Sequence, residues 1–216
     1  MKIVSVSVGS PRPVDWRGRR IMTGIFKQPV EGRVWLHRLN LEGDRQADLS
    51  VHGGMHKAVY VYPSEHYPFW RRELEMEDLP WGSFGENLTT AGWWEDEVHV
   101  GDRFRVGTAE VVVTQPRMPC FKLAVKLDRE DIIERFLESG RPGFYLGVLQ
   151  EGDLAAGDAM ERIHEDENRV SVVDVVRLYL ERDRKSDPDL LRRAASVEGL
   201  PESWRDHFRK RIMPRM

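Results

Sequence analysis

Glu110-Val111-Val112-Val113-Thr114-Gln115-Pro116-Arg117-Met118-Pro119-Cys120 is the stretch on which the fold turns. It opens as a β-branched run with the composition of a strand buried on both faces. Two prolines end it, because proline lacks a ladder donor and fixes φ, and they stiffen the loop that follows. Cys120 therefore stands on a rigid loop at a strand end, between Arg117 and Lys122. Nearby cations favour a thiolate, the form that binds metals or attacks electrophiles. The same residue alone is equally well read as a small buried hydrophobe.

Working outward, other segments share the strand character. Val4, Val6 and Val8 alternate with serines, and Val34, Leu36, Leu39 and Leu41 form a second strand-like stretch. Ala58-Val59-Tyr60-Val61-Tyr62 is a continuous apolar run, and Phe144 to Leu149 supplies another. Glu42-Gly43-Asp44, Val100-Gly101-Asp102 and Ala156-Gly157-Asp158 each set Gly-Asp between apolar stretches, as suits turns needing positive φ. Several short strands with such turns predict a mainly β fold, a barrel or sandwich with peripheral helices. One helix is expected after a Ser64 cap, with Tyr67, Trp70 and Leu74 inward. A second is expected after an Asp128 cap, with Ile132, Ile133, Phe136 and Leu137 on one stripe.

The character changes at Glu165-Asp166-Glu167-Asn168. Beyond it lie three short helices: one after Ser171 burying Val172, Val175, Val176 and Tyr179, one opened by Asp187-Pro188, one from about Pro201 with Trp204, Phe208 and Ile212. The division expected is a β-barrel domain over 1–165 and a three-helix segment over 169–216.

Composition excludes several classes. Of 216 residues, 33 are Lys or Arg and 36 Asp or Glu, for a formal net charge of −3, so a nucleic-acid polymer is not the expected partner. No stretch approaches membrane-spanning length. The first residues alternate like a strand, without the apolar region of a signal peptide, and point to the cytoplasm. A single cysteine excludes an internal disulfide, a cluster held by several cysteines and a zinc site of several thiolates.

Three further segments could carry chemistry. His52-Gly53-Gly54-Met55-His56-Lys57 precedes a strand, and its glycines permit a tight turn or a close approach to an anion. The four-residue spacing of His52 and His56 would suggest zinc only on a helix, which the glycines disfavour. Phe84-Gly85-Glu86-Asn87-Leu88-Thr89-Thr90 offers Asn and Thr donors on a turn. Lys27, on an expected loop, is either an anion contact or solvated surface.

Together these segments resemble the MOSC family, named for the C-terminal domain of molybdenum-cofactor sulfurases, and within it the YiiM-like branch. The residues that carry the likeness are Gly43-Asp44-x-Gln46-Ala47-Asp48, His52-Gly53-Gly54-x-x-Lys57-Ala58-Val59, Tyr62-Pro63-x-Glu65-His66-Tyr67, Gly85-Glu86-Asn87-Leu88 and Gln115-Pro116-Arg117-x-Pro119-Cys120-x-Lys122-Leu123. The likeness implies a β-barrel-like fold and a molybdenum cofactor whose metal is held by a pterin dithiolene and Cys120. It implies His52, Lys57, Asn87, Arg117 and Lys122 as cofactor contacts. A pyridoxal phosphate association also goes with the family. The activity implied is reduction of small N-hydroxylated compounds, such as N-hydroxylated purine bases, with electrons from a separate reductase. A cofactor or sulfur carrier without turnover is the alternative, and a metal-free thiol hydrolase with His52 or His56 as base is a third reading. Similar sequences commonly have Asp where His56 stands.

Overall fold

The computed structural model describes residues 1–47, 53–181 and 186–212. Its strands are β1 (Lys2–Val8), β2 (Arg12–Trp16), β3 (Arg19–Thr23), β4 (Gln28–Pro29), β5 (Val34–Leu36), β6 (Val59–Pro63), β7 (Leu88–Ala91), β8 (Arg103–Val106), β9 (Ala109–Pro116), β10 (Phe144–Gln150), β11 (Gly152–Leu154) and β12 (Met160–His164). Its helices are α1 (Tyr67–Leu74), α2 (Phe121–Leu127), α3 (Ile132–Glu138), α4 (Val172–Leu180), α5 (Pro188–Ser196) and α6 (Glu202–Ile212).

One eight-stranded sheet, in the order β12-β8-β9-β10-β6-β7-β1-β4, forms the body. Its pairings are antiparallel except β6 with β7, and α1 lies in the crossover that a parallel pair requires. Bulges in β1 between Ile3 and Ser5, and in the β9–β10 pairing at Tyr145–Leu146, bend the sheet. The curl brings its far strands together: Met160 N–H donates to Met1 at 2.8 Å and Ile3 N–H to Asp158 at 3.0 Å. The result is a curled half-barrel. Gly43, Gly101 and Gly157 all have positive φ, as the turn reading requires.

Two apolar layers follow from the period of a strand. On β6, Val59 and Val61 face the barrel interior with Val111, Val113 and Leu146. Tyr60 and Tyr62 point the other way, into an aromatic layer with Trp70, Phe84 and Phe136. The run is buried on both faces, as its composition suggests.

The C-terminal helices continue the barrel core. Val175, Leu178, Leu190, Ala194 and Phe208 belong to the same apolar cluster as Val113, which supplies the stability that short helices lack alone. Ser171 caps α4 in a reciprocal box with Asp174, and Asp187 caps α5 ahead of Pro188. Leu178 takes the buried place expected of Tyr179, which is half-exposed.

Three expectations need correction. Asp128 does not open a helix. It closes α2 in the left-handed conformation, and Asp131 precedes α3. Helix α2 itself was hidden behind the two prolines, although Leu123, Ala124 and Leu127 give it an inward face. Ser64 does not cap α1: a short 3-10 turn, Ser64–His66, intervenes, and no side chain caps it. Leu39 is exposed in the turn after β5 rather than part of a strand.

Candidate functional site

The rigid loop after β9 delivers Cys120 to the first position before α2, with extended backbone (φ −131°, ψ 168°) and a half-buried side chain. Around it opens a cleft of about 100 Å³ lined by Lys27, Lys57, Asn87, Arg117 and Lys122, with Asp44, Tyr60 and Tyr145. Residues from six separated segments thus converge on one place. Of the sequence-derived contacts, Lys57, Asn87, Arg117, Cys120 and Lys122 line this cleft together; His52 lies outside the described residues.

Arg117 is 5% exposed. Its guanidinium sits 5.1 Å from the Tyr60 ring centroid and 5.0 Å from that of Phe136. Its Nη1 has no hydrogen-bond partner among the described residues. A buried cation that lines a cleft, held by ring faces and with one donor unused, is suited to an anionic ligand. Burial opposes its charge, yet the neighbouring Tyr60, Tyr145 and Cys120 hold its pKa above the ordinary arginine value.

Lys57 ends the 3-10 turn Met55–Lys57, entered through Gly53 and Gly54 at positive φ. Its N–H donates to Gly54 at 3.0 Å. Burial pushes its pKa down, with Cys120 pulling it partly back. Gly147 on β10 makes room for this turn: a Cβ there would fall 2.8 Å from the Met55 carbonyl.

The opposite wall is a buried polar network. Asp44 pairs with Lys27, accepts from the Gly9 N–H at 2.9 Å and accepts from Asn87 Nδ2 at 3.0 Å. Asn87 also donates to Ser7 at 3.2 Å and accepts from the Tyr60 N–H at 3.1 Å. Its amide is fully engaged by protein, so Asn87 fastens the wall. Lys27 is buried rather than solvated, and burial lowers its pKa while Asp44 raises it. Next to Asn87, Glu86 is buried and accepts from Tyr67 Oη, Thr89 Oγ1 and the Gly82 and Phe84 N–H groups. Neither threonine of that segment lines the cleft among the described residues.

Tyr60 and Tyr145 escaped the sequence reading of the site. They pair across β6 and β10 with ring centroids 5.3 Å apart. Burial raises the pKa of both, so each keeps its proton across the neutral range. Tyr60 Oη donates to Pro142 at 2.8 Å, and the adjoining Gly143 N–H donates to Glu95, which His66 holds at 2.8 Å. The alternation of valine and tyrosine in Val59–Tyr62 was the available signal for Tyr60.

His56 lines a separate groove between the barrel and the C-terminal helices, not the Cys120 cleft. Burial and the nearby Arg205 lower its pKa. Among the described residues no histidine lines the cleft, and no group of three His, Cys, Asp or Glu side chains could hold a metal ion.

Comparison with known proteins agrees with this arrangement. The MOSC domain family matches residues 48–161, and the YiiM-like 3-alpha helix domain matches residues 170–214. YflK of Bacillus subtilis (strain 168) is 43% identical over 215 residues, covering 98% of this chain and 96% of that protein. The crystal structure of YiiM from Geobacillus stearothermophilus superposes with a TM-score of 0.80 at 33% identity, covering 98% of this chain and 99% of that one. A protein named Reductase from Gibberella moniliformis (strain M3125 / FGSC 7600) is 35% identical over 164 residues, 74% of this chain but 29% of its own length. The chain belongs to the MOSC family, and its curled sheet and trailing helices are those of YiiM. The matches lend pyridoxal phosphate no support. No helix among the described residues is long and apolar enough to cross a membrane.

Proposed function

We propose that this protein binds a molybdenum–pterin cofactor in the Cys120 cleft and reduces small N-hydroxylated compounds. The observation that carries the reading is Arg117, a buried cation with one donor, Nη1, unpartnered among the described residues, which lines the cleft that also holds the only cysteine. The donor set fits such a group. A soft thiolate is a ligand for a thiophilic metal, and Arg117, Lys57 and Lys122 supply the cations a pterin phosphate needs. Cys120 would hold the metal, and the Tyr60 and Tyr145 rings would wall the site. The relative named Reductase supports an enzymatic role.

When bound, the molybdenum centre supplies two-electron chemistry at an N–OH group. The overall change, R–NHOH + 2e⁻ + 2H⁺ → R–NH₂ + H₂O, requires an electron source. We propose a separate reductase as donor, and a cytoplasmic location. The chain's own residues do the binding and orienting: Asp44, Lys27 and Asn87 fix one wall, and Arg117 stays charged in the other.

Elemental analysis and pterin fluorescence of protein from a cofactor-producing host test the first half. Near-stoichiometric molybdenum in wild type, lost in Cys120→Ser, is expected; folded wild type that takes up neither molybdenum nor pterin on reconstitution overturns it. Turnover of an N-hydroxylated purine with a competent electron donor tests the second half. Retained cofactor without turnover would make the protein a carrier.

A further inference from the structure

The C-terminal helices reach the cleft through one side-chain amide. Gln115 is the second-last residue of β9, just ahead of its terminal Pro116, and is 4% exposed. Its Nε2 donates to the His56 carbonyl at 3.2 Å, and its Oε1 accepts from Trp204 Nε1 at 2.9 Å. The His56 carbonyl belongs to the peptide that leads into Lys57, and Thr114 Oγ1 donates to it as well, at 2.6 Å. Trp204 stands on α6, with its ring 4.7 Å from Tyr179 on α4 and 6.2 Å from Phe208.

The indole N–H can only donate. It therefore fixes which end of the Gln115 amide is oxygen, and so leaves the NH₂ group facing His56. Without that donor the amide can flip, and its oxygen would then oppose the His56 carbonyl. We propose that Gln115 and Trp204 are positioning residues for Lys57, through which the three-helix segment sets the cationic turn against Cys120. The charge of Arg205, beside Trp204, is felt at His56 in the same turn, where burial first and this charge second lower the histidine pKa. The helices thus act on the cleft from behind, and line none of it among the described residues.

This proposal rests on Lys57 as an anion contact, and its test separates the two claims. Trp204→Phe keeps the ring and removes the donor; Gln115→Leu repeats the experiment should the first variant not fold. Losing one net hydrogen bond, about 1 kcal/mol, corresponds to roughly fivefold faster opening of the turn. Hydrogen exchange at the Lys57 and Ala58 amides, bonded to Gly54 and Leu146, should accelerate by about that factor. The β9 amides should keep their wild-type rates. Trp204→Phe should lower affinity for inorganic phosphate by a similar factor when Lys57 is present, and should lower it no further in a Lys57→Ala background. Unchanged exchange at the turn overturns the proposal, and so does an equal loss of phosphate affinity with and without Lys57. Wild type that binds no phosphate defeats the anion reading of the cleft, and the exchange rates then decide the positioning claim alone.

Discussion

Asn87 Nδ2 lies 3.0 Å from Asp44 Oδ2, and this bond joins two chain segments that are 43 residues apart in one wall of the cleft. Asp44 would otherwise be a buried carboxylate balanced by Lys27 alone among the described side-chain cations. The three residues share one electrostatic fate.

Replacing Asn87 by Leu keeps the volume and removes every polar partner. The Tyr60 N–H, the Ser7 carbonyl and one Asp44 oxygen each lose a bond. A buried group left unsatisfied costs about 1–3 kcal/mol, so a loss of at least 3 kcal/mol in unfolding free energy is expected. Urea titration measures it. A loss under 1 kcal/mol would mean that water replaces the amide and the wall is soft.

The Asn87 result bears on what the sequence made legible. The strands were readable because β-branched runs and Gly-Asp turns are local signals, and the Cys120 loop because proline acts where it stands. Asp44 was visible as a turn residue, and Asp102 and Asp158 do hold the backbone of their own turns. Asp44 instead reaches Gly9, Lys27 and Asn87, a tertiary fact without a local signature. Helix α2 was missed because its seven residues are too few for a periodic pattern to stand out beside prolines. Lys27 was ambiguous for a related reason: only the packed structure shows that its loop is covered. The convergence of Lys57, Arg117 and Lys122 on Cys120 was implied by family resemblance rather than by spacing.

Arg117 separates stability from function. A buried ion without a paired carboxylate is costly to desolvate, and an apolar residue of similar length is often neutral or stabilising in its place. Arg117→Met should therefore keep or raise the melting temperature while lowering bound molybdenum and pterin at least tenfold. Thermal melts and elemental analysis of the same preparation decide it. A large fall in melting temperature with cofactor retained would make Arg117 a structural cation.

Lys57 gives a pH signature with a definite sign. Its folded pKa is lowered by burial, with Cys120 opposing, below the ordinary lysine value of about 10.4 kept when unfolded. Between the two values the unfolded chain binds more protons, so stability rises with pH through that window. Buried Tyr60 and Tyr145, with raised pKa values, reverse the trend above about pH 10, where unfolded tyrosines ionise first. Lys57→Gln should make the rise below pH 10 shallower, leaving the part that the lowered Lys27 contributes, and leave the fall above it. Chemical denaturation across this range measures both limbs, and parallel slopes in the two proteins would refute the burial of Lys57.

At Gly147 a methyl group tests the cleft without touching its polar groups. Its added Cβ would meet the Met55 carbonyl at 2.8 Å and Thr114 Cγ2 at 3.2 Å. The carbonyl is backbone, so the turn must yield, and the strand is held by its ladder on both sides. Overpacking of this kind costs about 1–3 kcal/mol. Gly147→Ala should show that loss in stability and, through displacement of the two-residue-distant Lys57, a clear drop in cofactor retained per folded molecule. Gly147→Ala with wild-type loading would show that the cleft tolerates a shifted turn, and would leave Arg117 and Lys122 as the cations that matter.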